Sequence, residues 1–402
     1  MSLSNFQEHF DNTYQEVFLK TLVSKRAMNT RFESKLTYGE SVERFAYDMS
    51  GVRVRTVTRG AASTVDTISD SVELLTVNLE KEAVFHISDG EVKQAGPLNP
   101  GEVIGGKIAR KVAIDLDSRC FAEVLNATYD FDNGDLTTLS SSGTPITLSS
   151  TTVPQMTTRM NSKLTYRDQI ETSTGMLLIV DSYAASDFEE YLLSKNIDLA
   201  EHVFKNGYSG KVKNATLLVS ENLTGEAVML MATQPTDGDT VTIGGVVFTF
   251  KTTLGSTAGN VLIGASADAA RVNLTALINT PDTTTSAGVA LSAANIALIE
   301  DAMNLAATDD ATANTMTIVG TGSGRLVVAE TFAAGGDVWT TNFLHAYYGK
   351  EGAIDLVVQD LSSVDMRDTD DRRGTNVFSS YLAGIKTFAD GAKQFLDVLI
   401  NA

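Results

Sequence analysis

Apolar residues recur along this chain with two distinct periods. Near the start, Phe6, Phe10, Tyr14, Val17, Phe18 and Leu22 are spaced by three and four residues, which predicts an opening helix with one large apolar face. From Val52 to Ser88 the pattern turns extended. Val52-Arg53-Val54-Arg55 alternates, the stretch from Arg59 to Ser63 breaks it, and Ser71–Leu79 and Ala83–Ile87 read as strands. An isolated ribbon is marginal in water, so this excursion has to lie against a neighbour or fold back on its own domain. A long helix then starts with Asn99 as cap, Pro100 at the first helical position and Glu102 close behind. Ile104, Ile108, Val112, Leu116, Cys120 and Val124 repeat every four residues and carry it to about Asn126. Four-residue spacing drifts around a straight helix, so the stripe should meet more than one surface.

Leu136 to Thr158 is rich in Ser and Thr and suggests a loop or short extended segments. Met176–Val180 reads as a buried strand, followed by a capped amphipathic helix, an Asn-Gly turn, a second apolar strand at Ala215–Val219, and Ser220-Glu221-Asn222. From about Gly225 to Gly336 the composition shifts to Ala, Thr and Gly, with ten acidic residues against three basic ones. Thr240–Ile243 and Val246–Phe250 flank Gly244-Gly245, a strong hairpin signal. Helices are expected at Ala267–Asn279 and from a cap at Ser292 to Ala306, with strands at Thr315–Val319 and Arg325–Ala329. After this small α+β unit, Ile354–Asp360 reads as a strand and Asp365–Asn376 as a polar crossing, with Phe378–Phe388 and Gln394–Ile400 closing the chain.

At 402 residues there is room for two or three domains. The formal charge of −19 argues against gripping nucleic acid through phosphate neutralisation, which needs clustered Lys and Arg. One cysteine, Cys120, excludes an intrachain disulfide framework. The opening MSLSNFQEHF lacks the basic-then-apolar order of a signal peptide, and no run approaches the roughly 20 apolar residues that span a bilayer.

Candidate chemistry is thin. Gly101–Lys107 has phosphate-loop spacing, but Ile108 stands where a magnesium-binding hydroxyl is needed, and the glycines fall inside a helix. Gly320–Arg325 lacks a dinucleotide fingerprint and reads as a turn. Asp130–Asp135 lacks calcium-loop spacing and reads as a solvated turn. His9, His86, His202 and His345 stand singly, and Cys120 sits on the apolar stripe of the long helix. No catalytic residue, cofactor or metal is expected. Arg367, Arg372 and Arg373 interleave with Asp365, Asp368, Asp370 and Asp371, a mixed-sign cluster suited to a solvated ion-pair network or to contacts between subunits.

The order strand, helix, Asn-Gly-x-x-Gly, strand, Ser-x-Asn across Met176–Asn222 resembles the axial domain of tailed-phage major capsid proteins of the Hong Kong 97 type. Tyr381-Leu382-Ala383-Gly384-Ile385-Lys386 resembles the closing strand of that family, and the phrase DGDTVTIGGVVFTF resembles small modules of phage virion proteins. The resemblance implies an α+β capsid fold with an inserted small α+β domain. Its parts would be an N-terminal arm (1–50), an extended loop (51–88), a peripheral domain (89–172) with a spine helix (99–126), an axial domain (173–224), the insert (225–336) and a completing segment (337–402). It implies a non-enzymatic protein assembling into pentamers and hexamers around double-stranded DNA. Scaffold, portal and decoration proteins would be its partners, with assembly in the host cytoplasm and no membrane. Inter-subunit contacts would fall on Arg53, Arg55, Arg59, Arg367, Arg372, Arg373, Asp365, Asp370 and Asp371. Some relatives crosslink through a lysine in the extended loop; between Lys35 and Lys81 this chain has none, so no such bond is expected. With no scaffolding extension evident before the arm, a separate scaffold and no extensive cleavage are expected. An encapsulin-type compartment shell, and more remotely a surface-layer or adhesin protein, remain alternatives.

Overall fold

The computed structural model describes residues 22–33, 39–48, 52–60, 62, 65–88, 100–195, 211–212, 214–333, 337–368 and 374–401. The predicted opening helix except Leu22, the Asn99 cap, the Asn206-Gly207 turn and Asp370–Arg373 lie outside the described residues. In chain order the elements begin with β1 (Ser41–Asp48), β2 (Ser69–Thr76), β3 (Leu79–Ser88), α1 (Pro100–Ala122), β4 (Tyr129–Phe131) and α2 (Thr152–Asp168). Then come β5 (Met176–Val180), α3 (Ser182–Lys195), β6 (Lys211–Val212), β7 (Ala215–Val219) and β8 (Thr224–Leu230). β9 (Thr240–Ile243), β10 (Val246–Lys251), β11 (Asn260–Leu262), α4 (Ala267–Asn279), β12 (Leu305–Asp310), β13 (Thr315–Gly320) and β14 (Val328–Glu330) follow. β15 (Val338–Lys350), β16 (Asp355–Asp368), β17 (Gly374–Lys386) and β18 (Phe395–Asn401) complete the α+β chain.

Two compact units form. One gathers Ala27–Ala113 and Gly352–Lys393; the other gathers Leu22–Arg26, Ile114–Glu351 and Gln394–Ala402. In the first, β17 lies between β16 and β3 in an antiparallel sheet, while β1 and β2 form a separate antiparallel ribbon. Phe32, Leu75, Val77, Val357 and Phe388 form one buried cluster, and Met28, Ile354, Leu356, Val377 and Tyr381 are buried in the same unit. Asn29 joins the start of β16, its side chain donating to Asp355 Oδ1 at 2.7 Å.

This pairing corrects the expected excursion. β2 and β3 do not pair with each other as one ribbon; β2 pairs with β1 and β3 pairs with β17. Only Val77 and Asn78 separate β2 from β3, and they make no reversing turn, so the chain runs on from one partner to the next. The excursion therefore leaves at Ser41 and not at Val52. Likewise the ends of the expected crossing Asp365–Asn376 are strand: β16 reaches Asp368 and β17 begins at Gly374, with Arg367 opposite Asn376 in a long antiparallel pair.

In the second unit β12, β13, β8, β15, β5, β7 and β6 form one sheet, and β18, with β4 beyond it, pairs with β15 as well. β15 is long enough to pair with β8 through its first part and β5 through its last, while β18 runs along its other side. β5, α3 and β7 form a parallel β-α-β unit in which all five residues of β5 are buried. Buried Asp181 opens α3 by accepting from the Ala184 N–H at 3.0 Å. The principal core of this region combines Met156, Met160 and Leu164 of α2 with Leu178, Phe188, Leu217, Tyr348 and Val398. α2 begins within Leu136–Thr158, where a loop or short extended segments were expected. Its first turn tolerates Pro154, and Val153, Met156, Met160 and Leu164 repeat at helical spacing on its buried side.

The stretch 225–336 builds a second core around Phe248, Phe250, Val261, Leu274 and Ile318. β9 and β10 turn at Gly244 and Gly245, both at positive φ (57° and 87°), the backbone a two-residue hairpin asks of glycine. α4 is capped by Ser266, which accepts from the Ala269 N–H. The helix capped at Ser292 ends at Ala302, and Leu305 already begins β12. The last predicted strand is confined to β14. Leu230 and Val338 face each other across the β8–β15 ladder, so residues 231–337 leave and re-enter at one hairpin tip, where Asp337 Oδ1 accepts from the N–H groups of Ala232 and Thr233.

Candidate assembly interface

The β1–β2 ribbon has two unlike faces. Val42 and Leu75 stand opposite each other on the inward face, where Leu75 is buried. On that face Arg44 pairs with Asp390 at 2.7 Å and stacks over the Phe388 ring, while Glu73 Oε1 accepts from the Ala389 N–H. The other face carries Phe45 directly across from Val72, with Leu74 beside them, and all three are exposed. The chain between the ribbon strands adds exposed Val52, Val54, Val57, Val65 and Ile68. Among the described residues, nine of the eighteen large apolar side chains left in solvent lie between Phe45 and Val84. Single exposed apolar residues are ordinary; a run of them on one element marks a surface meant to be covered.

Sheet edges show the same asymmetry. The nine-stranded sheet ends in two-residue β6 and in β12, whose last residues are Asp309 and Asp310, both devices that discourage edge pairing. By contrast β3 is the outer strand of its sheet and, among the described residues, pairs along one side only, with β17.

The arginines proposed for contacts fare differently. Arg55 forms a bidentate pair with Asp66, at 2.6 and 2.8 Å, and the Arg53 N–H donates to the same carboxylate at 2.9 Å. The Arg55 hydrogen bond, then that of the Arg53 backbone, hold the Asp66 carboxyl below its ordinary range. Arg55 thus draws the two limbs of the excursion together. Arg59 lies in the turn at residues 59–60. Asp365 and Arg367 are in β16, whereas Asp370, Asp371, Arg372 and Arg373 lie outside the described residues. Of these nine residues, Arg53, Arg55 and Arg59 thus lie in the excursion and Asp365 and Arg367 in β16. The shared face of Phe45, Val72 and Leu74 was missed, since neither Ser41–Asp48 nor Ser69–Thr76 alternates cleanly with period two.

Polar groups inside the second unit also escaped sequence reading. Asp130–Asp135 is not a solvated turn, because Asp132 and Asp135 are fully buried. Asp132 accepts from the N–H groups of Gly134 and Ser142 at 2.9 and 2.6 Å. Burial works against its charge, yet these hydrogen bonds and that of Ser141 prevail and lower its pKa. Asp135 pairs with buried Lys163 at 2.7 Å, and the Lys163 ammonium also donates to the Asp130 carbonyl. Asp117 accepts from Ser24 Oγ at 2.5 Å and from the Val23 and Ser24 N–H groups, fastening that turn to α1. Cys120 is wholly buried; burial and then the Asp117 charge push its thiol up, which removes it as a nucleophile. Gly101–Lys107 lies in the first turns of α1. Arg325 of the Gly-rich turn pairs with Asp181 and donates to the Asn401 carbonyl at 3.0 Å. Among the described residues no group of three or more His, Cys, Asp or Glu could hold a metal, and no helix is long and apolar enough to cross a membrane.

No family model matches the chain, and no curated protein matches it. Among solved structures it is similar to a chain of Mycobacterium phage Che8, at 12% identity and a TM-score of 0.48, covering 94% of this chain and 91% of that one. It is similar to the capsid of cyanophage P-SCSP1u at 9% identity and a TM-score of 0.45, covering 94% and 87% of the two chains. A further likeness is to the capsid of Myoviridae phage XM1, at 11% identity and a TM-score of 0.42, covering 93% and 89%.

Proposed function

We propose that this chain is the major capsid protein of a tailed bacteriophage, a structural and not a catalytic component that assembles with copies of itself into a closed shell around DNA. One observation carries the reading. The excursion from Ser41 to Ser88 leaves nine large apolar side chains in solvent and buries only Leu75 and Val77 among its described residues. Burial of that face against another copy would supply the missing hydrophobic stabilisation, and repetition under closed symmetry makes individually weak contacts strong in aggregate. The order of ribbon, long helix, parallel β-α-β unit and closing strands supports the same reading. It is the order that the sequence resemblance implies. Pentamers and hexamers, and separate scaffold, portal and decoration proteins, belong to this proposal.

The net charge suits a wall that confines DNA without gripping it. In the 225–336 stretch the three cations are each engaged by carboxylates: Lys251 by Asp237, Arg271 by Asp268 and Asp309, Arg325 by Asp181. Its surface is therefore acidic, and we place it on the outside of the shell, where it avoids repulsion from packed DNA. Electron microscopy of the chain expressed alone tests the central claim. Closed particles are the expected result, and monodisperse monomers under all assembly conditions would count decisively against it.

A further inference from the structure

Four ionisable side chains from four adjacent strands form a row across the large sheet of the second unit. They are Asp130 on β4, Asp397 on β18, His345 on β15 and Glu226 on β8. Asp397 stands opposite Asp130 in the parallel β18–β4 ladder. The His345 Nδ1–H donates to Asp397 Oδ2 at 2.7 Å, and Nε2 lies 3.4 Å from Glu226 Oε2, an ion-pair separation without hydrogen-bond alignment. His345 and Asp397 have side chains about one-twentieth exposed, whereas Glu226 keeps 21% and Asp130 is open to solvent. Asp397 Oδ1 has no hydrogen-bond partner among the described residues, so the imidazole is the group that answers its charge.

We propose that His345 is a proton-dependent clasp joining β8, β15 and β18, closed while the imidazole is charged and released when it loses its proton. Sequence position gives the clasp its consequence. β8 and β15 are the two limbs of the hairpin from whose tip residues 231–337 emerge, so release would loosen the root of that segment. The surroundings are otherwise acidic. Beyond the three carboxylates of the row, Glu123 sits on the 3-10 turn packed against β15 and β18. Lys163, the cation behind Asp130, is taken up by Asp135, and Asp132 adds another negative charge. Deprotonation of His345 therefore leaves Asp397 and Glu226 facing each other across a neutral ring.

Burial pulls the imidazole down and the Asp397 carboxyl up, while their mutual attraction opposes both. For Asp397 burial prevails, and its carboxyl is held above its ordinary range. For the imidazole the attraction of Asp397 prevails over burial, with Glu226 adding a second negative charge at the other ring nitrogen, and it is pushed up to about 9 from an ordinary 6.5. A group raised in this way stabilises the fold fully below its unfolded value, and the contribution disappears as pH climbs through the folded value. Between about pH 6.5 and 9 the unfolding equilibrium constant should rise by up to about tenfold per pH unit.

The test measures thermal midpoints of the full chain from pH 6 to 10, with hydrogen exchange of the 224–230 and 338–345 amides corrected for intrinsic rate. It applies equally to assembled and unassembled protein, so its outcome is independent of the shell reading. The wild type should lose stability and protection as pH rises through about 9. His345→Gln should start lower at pH 7 and lack that component of the slope. Should His345→Gln not fold, Glu226→Gln at the solvent-accessible end should move the fall to lower pH. A wild-type midpoint flat from pH 7 to 10, an undiminished slope in His345→Gln, or an unmoved fall in Glu226→Gln would each overturn the proposal.

Discussion

At the scale of single residues, buried charge separates what this fold needs from what its sequence announces. Lys163 has a side chain only 3% exposed and its partner Asp135 none, so each ion depends on the other for the charge that offsets its desolvation. Lys163→Met should cost roughly 3–5 kcal/mol, because it leaves Asp135 buried and uncompensated; urea denaturation would measure it. Adding Asp135→Leu should recover much of the loss, since an apolar pair of similar volume avoids the desolvation penalty. Nothing in Asp130–Asp135 reveals this burial, because the partner is about thirty residues away on α2 and the loop reads locally as a polar turn. Cys120 was legible for the opposite reason. Its environment is set by its own helix, whose stripe of Ala109, Val112, Ala113, Leu116 and Cys120 is buried, although Ile104 and Ile108 lie only half inside. The single histidines likewise read as scattered, and only the sheet brings His345 to Asp397 across 52 positions.

At the scale of elements, the ribbon gives the sharpest prediction. Phe45→Lys with Val72→Glu places opposite charges directly across the β1–β2 ladder on its outward face, a pair an antiparallel ladder accepts. The chain should keep its thermal midpoint, with a change within about 0.5 kcal/mol, while particle formation measured by sedimentation is lost. Val42→Asp, on the inward face beside Leu75, should instead lower the midpoint. If the double variant assembles as well as the wild type, the outward face is not a subunit contact. Elements with strong local signals were readable. α4 carries its own cap at Ser266, and β9 and β10 carry their turn in Gly244-Gly245. α2 was not, because Ser and Thr crowd the text before it and its helical spacing rests on only four buried apolar residues in seventeen. The excursion was recognised as extended, but its pairing was not, since strand partners are chosen by tertiary contacts and not by propensity.

At the scale of the whole molecule, the proposed shell would make both the stability and the use of this chain depend on copies of itself. If the acidic 225–336 stretch faces outward, a shell reconstruction should show its density on the exterior; density on the inner surface would defeat that placement. The excursion holds its own limbs with Arg55 and Asp66 and carries no lysine between Lys35 and Lys81. Particles dissolved in denaturant should therefore run at monomer mass on a gel, with no ladder of linked subunits.

The sequence by itself determined the element types wherever periodicity, caps and turn glycines agree: α1, β5, α3, β7, α4 and the β9–β10 hairpin. It also determined the acidic balance that disfavours a phosphate-gripping protein. Those are local or additive properties, readable without knowing which residues meet. Only the tertiary structure decided which strands pair, which face of the β1–β2 ribbon stays bare, and that Asp135, Asp397 and His345 are buried. Each of these depends on contacts between residues far apart in the chain, where burial and pairing arise from the packed neighbour and leave no mark in the adjoining text.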